Sequence, residues 1–194
     1  PPYLEHKRDE IDAQVAKELG HTATTTWATT RKGALAQMKN FFDNHFGEFG
    51  PLEDAMTTDN WALHHSLLSP YINNNLLHPS EVIHAAVKAF NTGKVPIESA
   101  EGFIRQVIGW REYVNGMYWF LGPDYRDNNQ LKATRKLLPL FTDPNATQMN
   151  CIKQTVTDIN DRAWVHHIPR LMLLSNLALI TGTNPQAFLD WMRE

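Results

Sequence analysis

The chain has 194 residues, 42% of them hydrophobic and 20% charged, and its 18 Lys and Arg against 21 Asp and Glu give a formal charge of −3. That balance suits one globular domain with its own core. It excludes a strongly basic coating protein and leaves room for a local basic groove. The lone cysteine, Cys151, excludes a disulfide within this sequence and a metal cage built from several of its own thiolates. No apolar run reaches the ~20 residues of a membrane span, and a reducing, cytoplasmic compartment is the expectation.

Residues 1–32 read as a lead-in. They hold a short polar helix over Asp9–Leu19, then Thr24-Thr25-Thr26 and Thr29-Thr30, which favour extended or turning backbone. From Gly33 the apolar positions Leu35, Met38, Phe41, Phe42 and Phe46 follow the helical rhythm, with a stop expected at Gly47 and Gly50. A second helix is predicted over Leu63–Asn74, closing in the Asn73-Asn74-Asn75 turn. A third starts at His78-Pro79-Ser80-Glu81, with proline in its first turn, and runs to Asn91-Thr92-Gly93. The clearest helix is Ser99–Phe120, with Phe103, Val107, Ile108, Trp110, Val114, Met117 and Tyr118 on a broad face and Gly122-Pro123 as its stop. Residues 121–146 form a longer, more charged connection. Helices follow over Thr147–Thr157, over Val165–Thr181 and from Pro185 onward. Strand periodicity is nearly absent, so the predicted class is an all-α helical cluster. The Pro1-Pro2 opening, and a last stretch at Trp191-Met192-Arg193-Glu194 that still reads as helix, give the expectation of a fragment of a larger protein.

Four features carry possible chemistry. Ser66 and Ser69 can share a helix face near an N-terminus, where free N–H groups attract phosphate; alternatively they bond their own backbone. On the long helix, Arg105 and Gln106 are followed by Trp110-Arg111-Glu112-Tyr113. This set can hold a flat heterocycle against an aromatic wall while arginine pairs with an anion; alternatively Trp110 is core and Arg111 is bridged to a carboxylate. Trp164-Val165-His166-His167 enters the helix that holds Arg170. Adjacent helical histidines point about 100° apart, so they do not chelate one metal as an i, i+4 pair does. One of them can deliver a proton near neutral pH, or both can be structural. His64-His65 carries the same two readings and implies no metal site. The fourth feature is the aromatic load of six Trp, nine Phe and five Tyr, which serves a core, base stacking or electron relay equally well. No Walker loop, dinucleotide fingerprint, HExxH or GxSxG motif is present.

The run Glu101-Gly102-Phe103-Ile104-Arg105-Gln106-Val107-Ile108-Gly109-Trp110-Arg111-Glu112-Tyr113-Val114-Asn115-Gly116-Met117-Tyr118-Trp119 resembles the signature helix of the deoxyribodipyrimidine photolyase-related proteins. These form the iron–sulfur bacterial branch of the photolyase/cryptochrome superfamily, which includes prokaryotic (6-4) photolyases. Three further stretches agree in order. Glu53-Asp54-Ala55-Met56 through His65-Ser66-Leu67-Leu68-Ser69-Pro70 is similar to the flavin-phosphate segment. Met149-Asn150-Cys151-Ile152-Lys153-Gln154 is similar to the segment of the first cluster cysteine, and Ala163-Trp164-Val165-His166-His167-Ile168-Pro169-Arg170-Leu171-Met172 to the active-site histidine helix. The resemblance covers roughly residues 24–194.

The resemblance implies a fold like the helical FAD-binding domain of photolyases, incomplete here over residues 33–194. It implies flavin contacts at His65, Ser66, Leu68, Ser69, Gln106, Trp110 and Arg111, and a catalytic pair at His166 and His167 beside the lesion pocket. Trp191 matches an aromatic of the electron path to the flavin, and Cys151 matches one ligand of a 4Fe–4S cluster. The other three cysteines are absent from this chain, and four thiolates normally hold such a cluster. An antenna pigment, the N-terminal domain that carries it and a C-terminal cluster segment are expected only in the full-length protein. Leu52 and Met192 stand where tyrosine is commoner in relatives. The implied function is light-driven repair of (6-4) photoproducts in UV-damaged DNA by lesion flipping. Arg105, Arg126, Lys132, Arg135, Lys136 and Arg170 are candidates for phosphate contacts. The competing readings are a cryptochrome-like photoreceptor without repair, and an all-α interaction module without cofactor.

Overall fold

The computed structural model describes residues 27–193, so the helix expected at Asp9–Leu19 lies outside the described residues. The described residues divide into two compact units, Ala28–Asn128 and a second that contains residues 129–193. The class is all-α as expected, and among the described residues the extended contribution is one isolated bridge, Arg135 to Thr183. No helix among them is long and apolar enough to cross a membrane.

In the unit Ala28–Asn128, α1 (Arg31–Asn44) is started by Thr30, whose hydroxyl accepts from the Gly33 N–H at 3.2 Å. The chain breaks at His45 (φ −124°, ψ −27°) and continues as α2 (Phe46–Leu52). The expected stop at Gly47 and Gly50 is therefore corrected: both glycines lie inside α2. Gly50 is there for close approach, since a Cβ on it would lie 2.8 Å from the Ser99 backbone nitrogen. The buried Ser99 hydroxyl fastens that approach, accepting from Gly50 N–H at 3.0 Å and donating to the Gly47 carbonyl at 2.9 Å. Around this contact Phe41, Phe46, Phe49 and Phe103 bury their rings, with centroids 5.1–6.3 Å from Phe41.

The helix expected over Leu63–Asn74 is reduced to α3 (Ser69–Asn73). Residues before it are held by local side-chain bonds that compete with a helix. Asn60 Oδ1 accepts from the Ala62 and Leu63 N–H groups at 3.1 and 3.0 Å, and Ser66 Oγ accepts from Leu68 N–H at 3.3 Å. Leu63 and Leu67 are left-handed (φ +47° and +57°), which no right-handed helix accommodates.

The next helix matches its prediction. α4 (Pro79–Asn91) opens with His78 Nδ1 accepting from Ser80 N–H at 3.2 Å and Glu81 accepting from His78 N–H at 2.9 Å. α5 (Ile97–Leu121) runs until Gly122, whose φ of +73° ends it. α5 packs on α2 and on α4 through its first turns, where Ser99, Ala100, Gly102 and Phe103 are buried.

In the second unit, short 3-10 turns at Pro139–Phe141 and Pro144–Ala146 lead into α6 (Asn150–Arg162), which left-handed Ala163 terminates. The helix expected over Val165–Thr181 begins later. Trp164–His166 is irregular, Ile168–Ser175 is a π-helix, and α7 (Asn176–Ile180) completes it. α8 (Pro185–Trp191) starts as predicted, with Asn184 capping Gln186 and Ala187 at 2.9 and 3.1 Å. The core is Phe141, Ile152, Val156, Leu174 and Ala178, with Phe188 and Trp191 packed against it. Arg135 threads into this unit through two backbone bonds, from its N–H to Gly182 O at 3.0 Å and from Asn184 N–H to its carbonyl at 2.8 Å.

Candidate functional site

Within Ala28–Asn128 the candidate residues fall on two elements, the turn 65–69 and the long helix α5. Ser66 is not on a helix, which corrects the shared-face expectation for Ser66 and Ser69. Its hydroxyl closes the turn on Leu68, and its carbonyl accepts from Gln37 Nε2 at 3.5 Å. Leu68 is buried and fixes the turn from below, while Ser69 opens α3 with its side chain exposed. The His65 ring meets the Phe49 ring edge to face at 6.0 Å.

On α5, Gln106 donates through Nε2 to Glu53 Oε1 at 2.9 Å. Trp110 is 56% exposed, with Tyr113 edge-on at 5.8 Å. Of the two readings left open by the sequence, the core placement of Trp110 is thus overturned. So is a carboxylate bridge to Arg111, which forms no ion pair among the described residues; its neighbour Arg105 pairs with Glu101 at 3.2 Å. Along this stretch α5 carries an amide and, one turn on, an exposed indole beside an exposed guanidinium, groups that a flat anionic heterocycle can use.

His45, which the sequence did not single out, lies in the same unit beside His64, which it did. The rings of His45 and His64 meet at 5.3 Å, and the Nδ1 atoms of both are shielded from solvent without a hydrogen-bond partner. Loss of water, and then the nearby His64, hold the His45 pKa below the usual imidazole value. Glu53 was also missed as a site residue, because its partner Gln106 is 53 positions away.

In the other unit, His166 is buried and His167 follows it, with ring centroids 5.9 Å apart. Trp164 lies 6.4 Å from His166. The Ile168 N–H points at His166 Nδ1 at 3.4 Å, so this ring nitrogen faces a backbone donor. Arg170 donates to the Val165 carbonyl at 2.7 Å, which ties the π-helix back to the residue before the histidines; desolvation pulls its pKa below the ordinary arginine value. Single π-helical turns recur at functional sites, and this one begins directly after the histidine pair. Trp191 packs on Phe141 and Phe188 at 5.4 and 5.7 Å. Cys151 is exposed in the first turn of α6.

Among the described residues the motif-bearing elements follow one another in an all-α arrangement. No family model matches the chain. Its sequence is 41% identical over 186 residues to a (6-4) photolyase of Agrobacterium fabrum, an alignment covering 96% of this chain and 36% of that protein. A second relative, the uncharacterized protein R853 of Acanthamoeba polyphaga mimivirus, is 34% identical over 77 residues, 39% of this chain and 59% of its own length. The chain is thus a relative of a photolyase over nearly all its residues, and it spans about a third of that relative's length.

Proposed function

We propose that the chain is the flavin-binding helical part of a photolyase that repairs (6-4) pyrimidine photoproducts in UV-damaged DNA under light. Residues 33–194 are proposed to belong to its FAD-binding domain, whose first helix starts two residues earlier, at Arg31. The observation that carries this reading is the face of α5. Trp110, edge-on to Tyr113, and Arg111 both stand exposed to solvent, inside the stretch aligned with the (6-4) photolyase. His65, Ser66, Leu68 and Ser69 shape the turn toward the phosphates of FAD. Gln106, Trp110 and Arg111 bind its heterocycles and offset its charge.

The bound flavin supplies the light-driven electron that splits the photoproduct. The chain's own part is to hold and to move a proton. His166, whose Nδ1 faces the Ile168 N–H, and the adjoining His167 are the proposed acids: the ring that is protonated to imidazolium gives that proton to the lesion and is left as neutral imidazole. Trp191 serves electron transfer. Cys151 is proposed as one ligand of a 4Fe–4S cluster. With Cys151 as its one thiolate, this chain's own donor set does not fit the cluster. Arg126, Lys132, Arg135 and Lys136, with Arg105 and Arg170, are proposed to meet DNA phosphates, which makes binding steeply salt-dependent.

The test uses the full-length protein. A flavin spectrum that bleaches under blue light with a reductant is expected, with Arg111→Ala losing FAD affinity by roughly ten-fold. His166→Ala and His167→Ala should retain FAD yet fail to restore a (6-4) lesion. A colourless folded protein that ignores added FAD refutes the flavin reading; undiminished repair in both histidine variants refutes the proton role.

A further inference from the structure

The carboxylate of Glu53, just past the end of α2, lies along the α5 face at two points one helical turn apart. Oε1 accepts from Gln106 Nε2 at 2.9 Å. Oε2 sits over Gly102, so close that a Cβ there would approach it to 3.1 Å. Gly102 and Gln106 are i, i+4 and share one side of the helix, and together they form a seat that a bulkier residue at 102 would narrow. An ionised carboxylate only accepts, so the amide edge facing it must be the NH2 edge. The orientation of Gln106, which a glutamine ordinarily leaves open, is therefore fixed by its partner. Its Oε1 is turned away from Glu53 and meets no protein donor among the described residues.

We infer that Glu53 is a positioning residue that presents Gln106 to the ligand as a hydrogen-bond acceptor, selecting an N–H edge of the bound heterocycle. This rests on the flavin reading above and deepens it. FAD carries such edges at N3 of the isoalloxazine and at the amine of adenine. An amide turned the other way would offer NH2 and suit the carbonyl and ring-nitrogen acceptors of the same rings. Glu53 decides between the two.

In the full-length protein, FAD is titrated against wild type, Glu53→Ala, Gln106→Met and the double variant. Two analogues are titrated beside it, FAD methylated at N3 and FAD lacking the adenine amine. Glu53→Ala should weaken FAD binding roughly three- to ten-fold, the scale of one hydrogen bond. Its effect should vanish in the Gln106→Met background, and it should shrink for the one analogue that lacks the selected N–H. Glu53→Gln, which can still accept from Gln106, should bind FAD nearly as wild type does. If Glu53→Ala does not fold, Gly102→Ala displaces the carboxylate by a few tenths of an ångström and should show the same ligand preference in weaker form. An equal loss for all three ligands would mean that Glu53 merely staples α2 to α5, and would overturn the inference. So would unchanged FAD affinity in Glu53→Ala. A wild-type protein that binds no flavin is a different failure, that of the flavin reading itself.

Discussion

The two ends of α5 are built from the same kinds of residue and meet opposite fates. In its first turns Ser99, Ala100 and Phe103 are 0%, 2% and 4% exposed, closed over by α2 and α4. Toward its C-terminus Tyr118, Trp119 and Phe120 are 64%, 76% and 81% exposed. Apolar content therefore marks where a helix can bury surface, while the neighbouring elements decide whether it does. The buried end is structural, and the open stretch around Trp110 and Arg111 is where a ligand has room. Phe103→Ala should cost about 3–5 kcal/mol, as expected for an aromatic removed from a full core, whereas Trp119→Ala should change stability by less than about 0.5 kcal/mol. Urea unfolding of both variants measures the contrast; equal costs would show that the two ends are not different in solution.

A smaller effect probes why the first turns are closed. Gly50→Ala places a Cβ 2.8 Å from Ser99 N and 2.9 Å from the Glu98 carbonyl carbon, both backbone atoms that cannot swing aside. The two helices must separate, at about 1–3 kcal/mol. Gly47, with nothing near its missing Cβ, is the internal control: Gly47→Ala should be neutral or stabilising, since alanine is the better helix former. Matching losses at both glycines in urea unfolding would remove the close-approach argument.

These glycines also show what the sequence could tell. Helix-stop and close-approach glycines look alike along the chain; Ser99, 49 positions from Gly50, is what distinguishes them. The helix starts at Pro79 and Pro185 and the stop at Gly122 were legible because they depend on neighbours a few residues away. The 60–68 stretch was not, since Asn60 and Ser66 divert backbone N–H groups that a periodicity count assigns to a helix. The candidate site divides in the same way. Its residue types and order were readable from motif resemblance, and the openness of Trp110 and the partner of Gln106 were not, because each depends on packing against distant segments.

The His45–His64 pair extends the comparison to protonation. His45 binds its proton less readily in the folded chain than its ordinary value of 6.5, through desolvation first and His64 second. As pH falls through 6.5 the unfolded chain takes up a proton that the folded chain resists, so stability declines with acidification until the folded His45 is itself protonated. Replacing the ring by a neutral side chain, His45→Gln, should flatten the urea midpoint across this window. An unchanged slope would place the acid sensitivity elsewhere.

The smallest expected effect lies at the exposed edge of the same unit, where Arg31 on α1 reaches Glu81 on α4 at 2.6 Å. The Arg31 hydrogen bond first, and the His78 N–H second, draw the Glu81 pKa from 4.5 to about 2. The folded value is the lower one, so the stabilisation is fully present above pH 4.5 and is lost as pH falls toward about 2. Both side chains meet water, and such pairs contribute little and weaken with salt. Glu81→Gln should therefore reduce the acid slope below pH 4.5 without altering it near 6.5, and added salt should shrink the difference. Because the two windows open at different pH, 6.5 for His45 and 4.5 for Glu81, thermal unfolding across the acid range compares the shielded histidine with the exposed ion pair. A Glu81→Gln variant that instead flattened the limb near pH 6.5 would mean that the cap of α4 and the His45 break are coupled, and the separation of core from edge would fail.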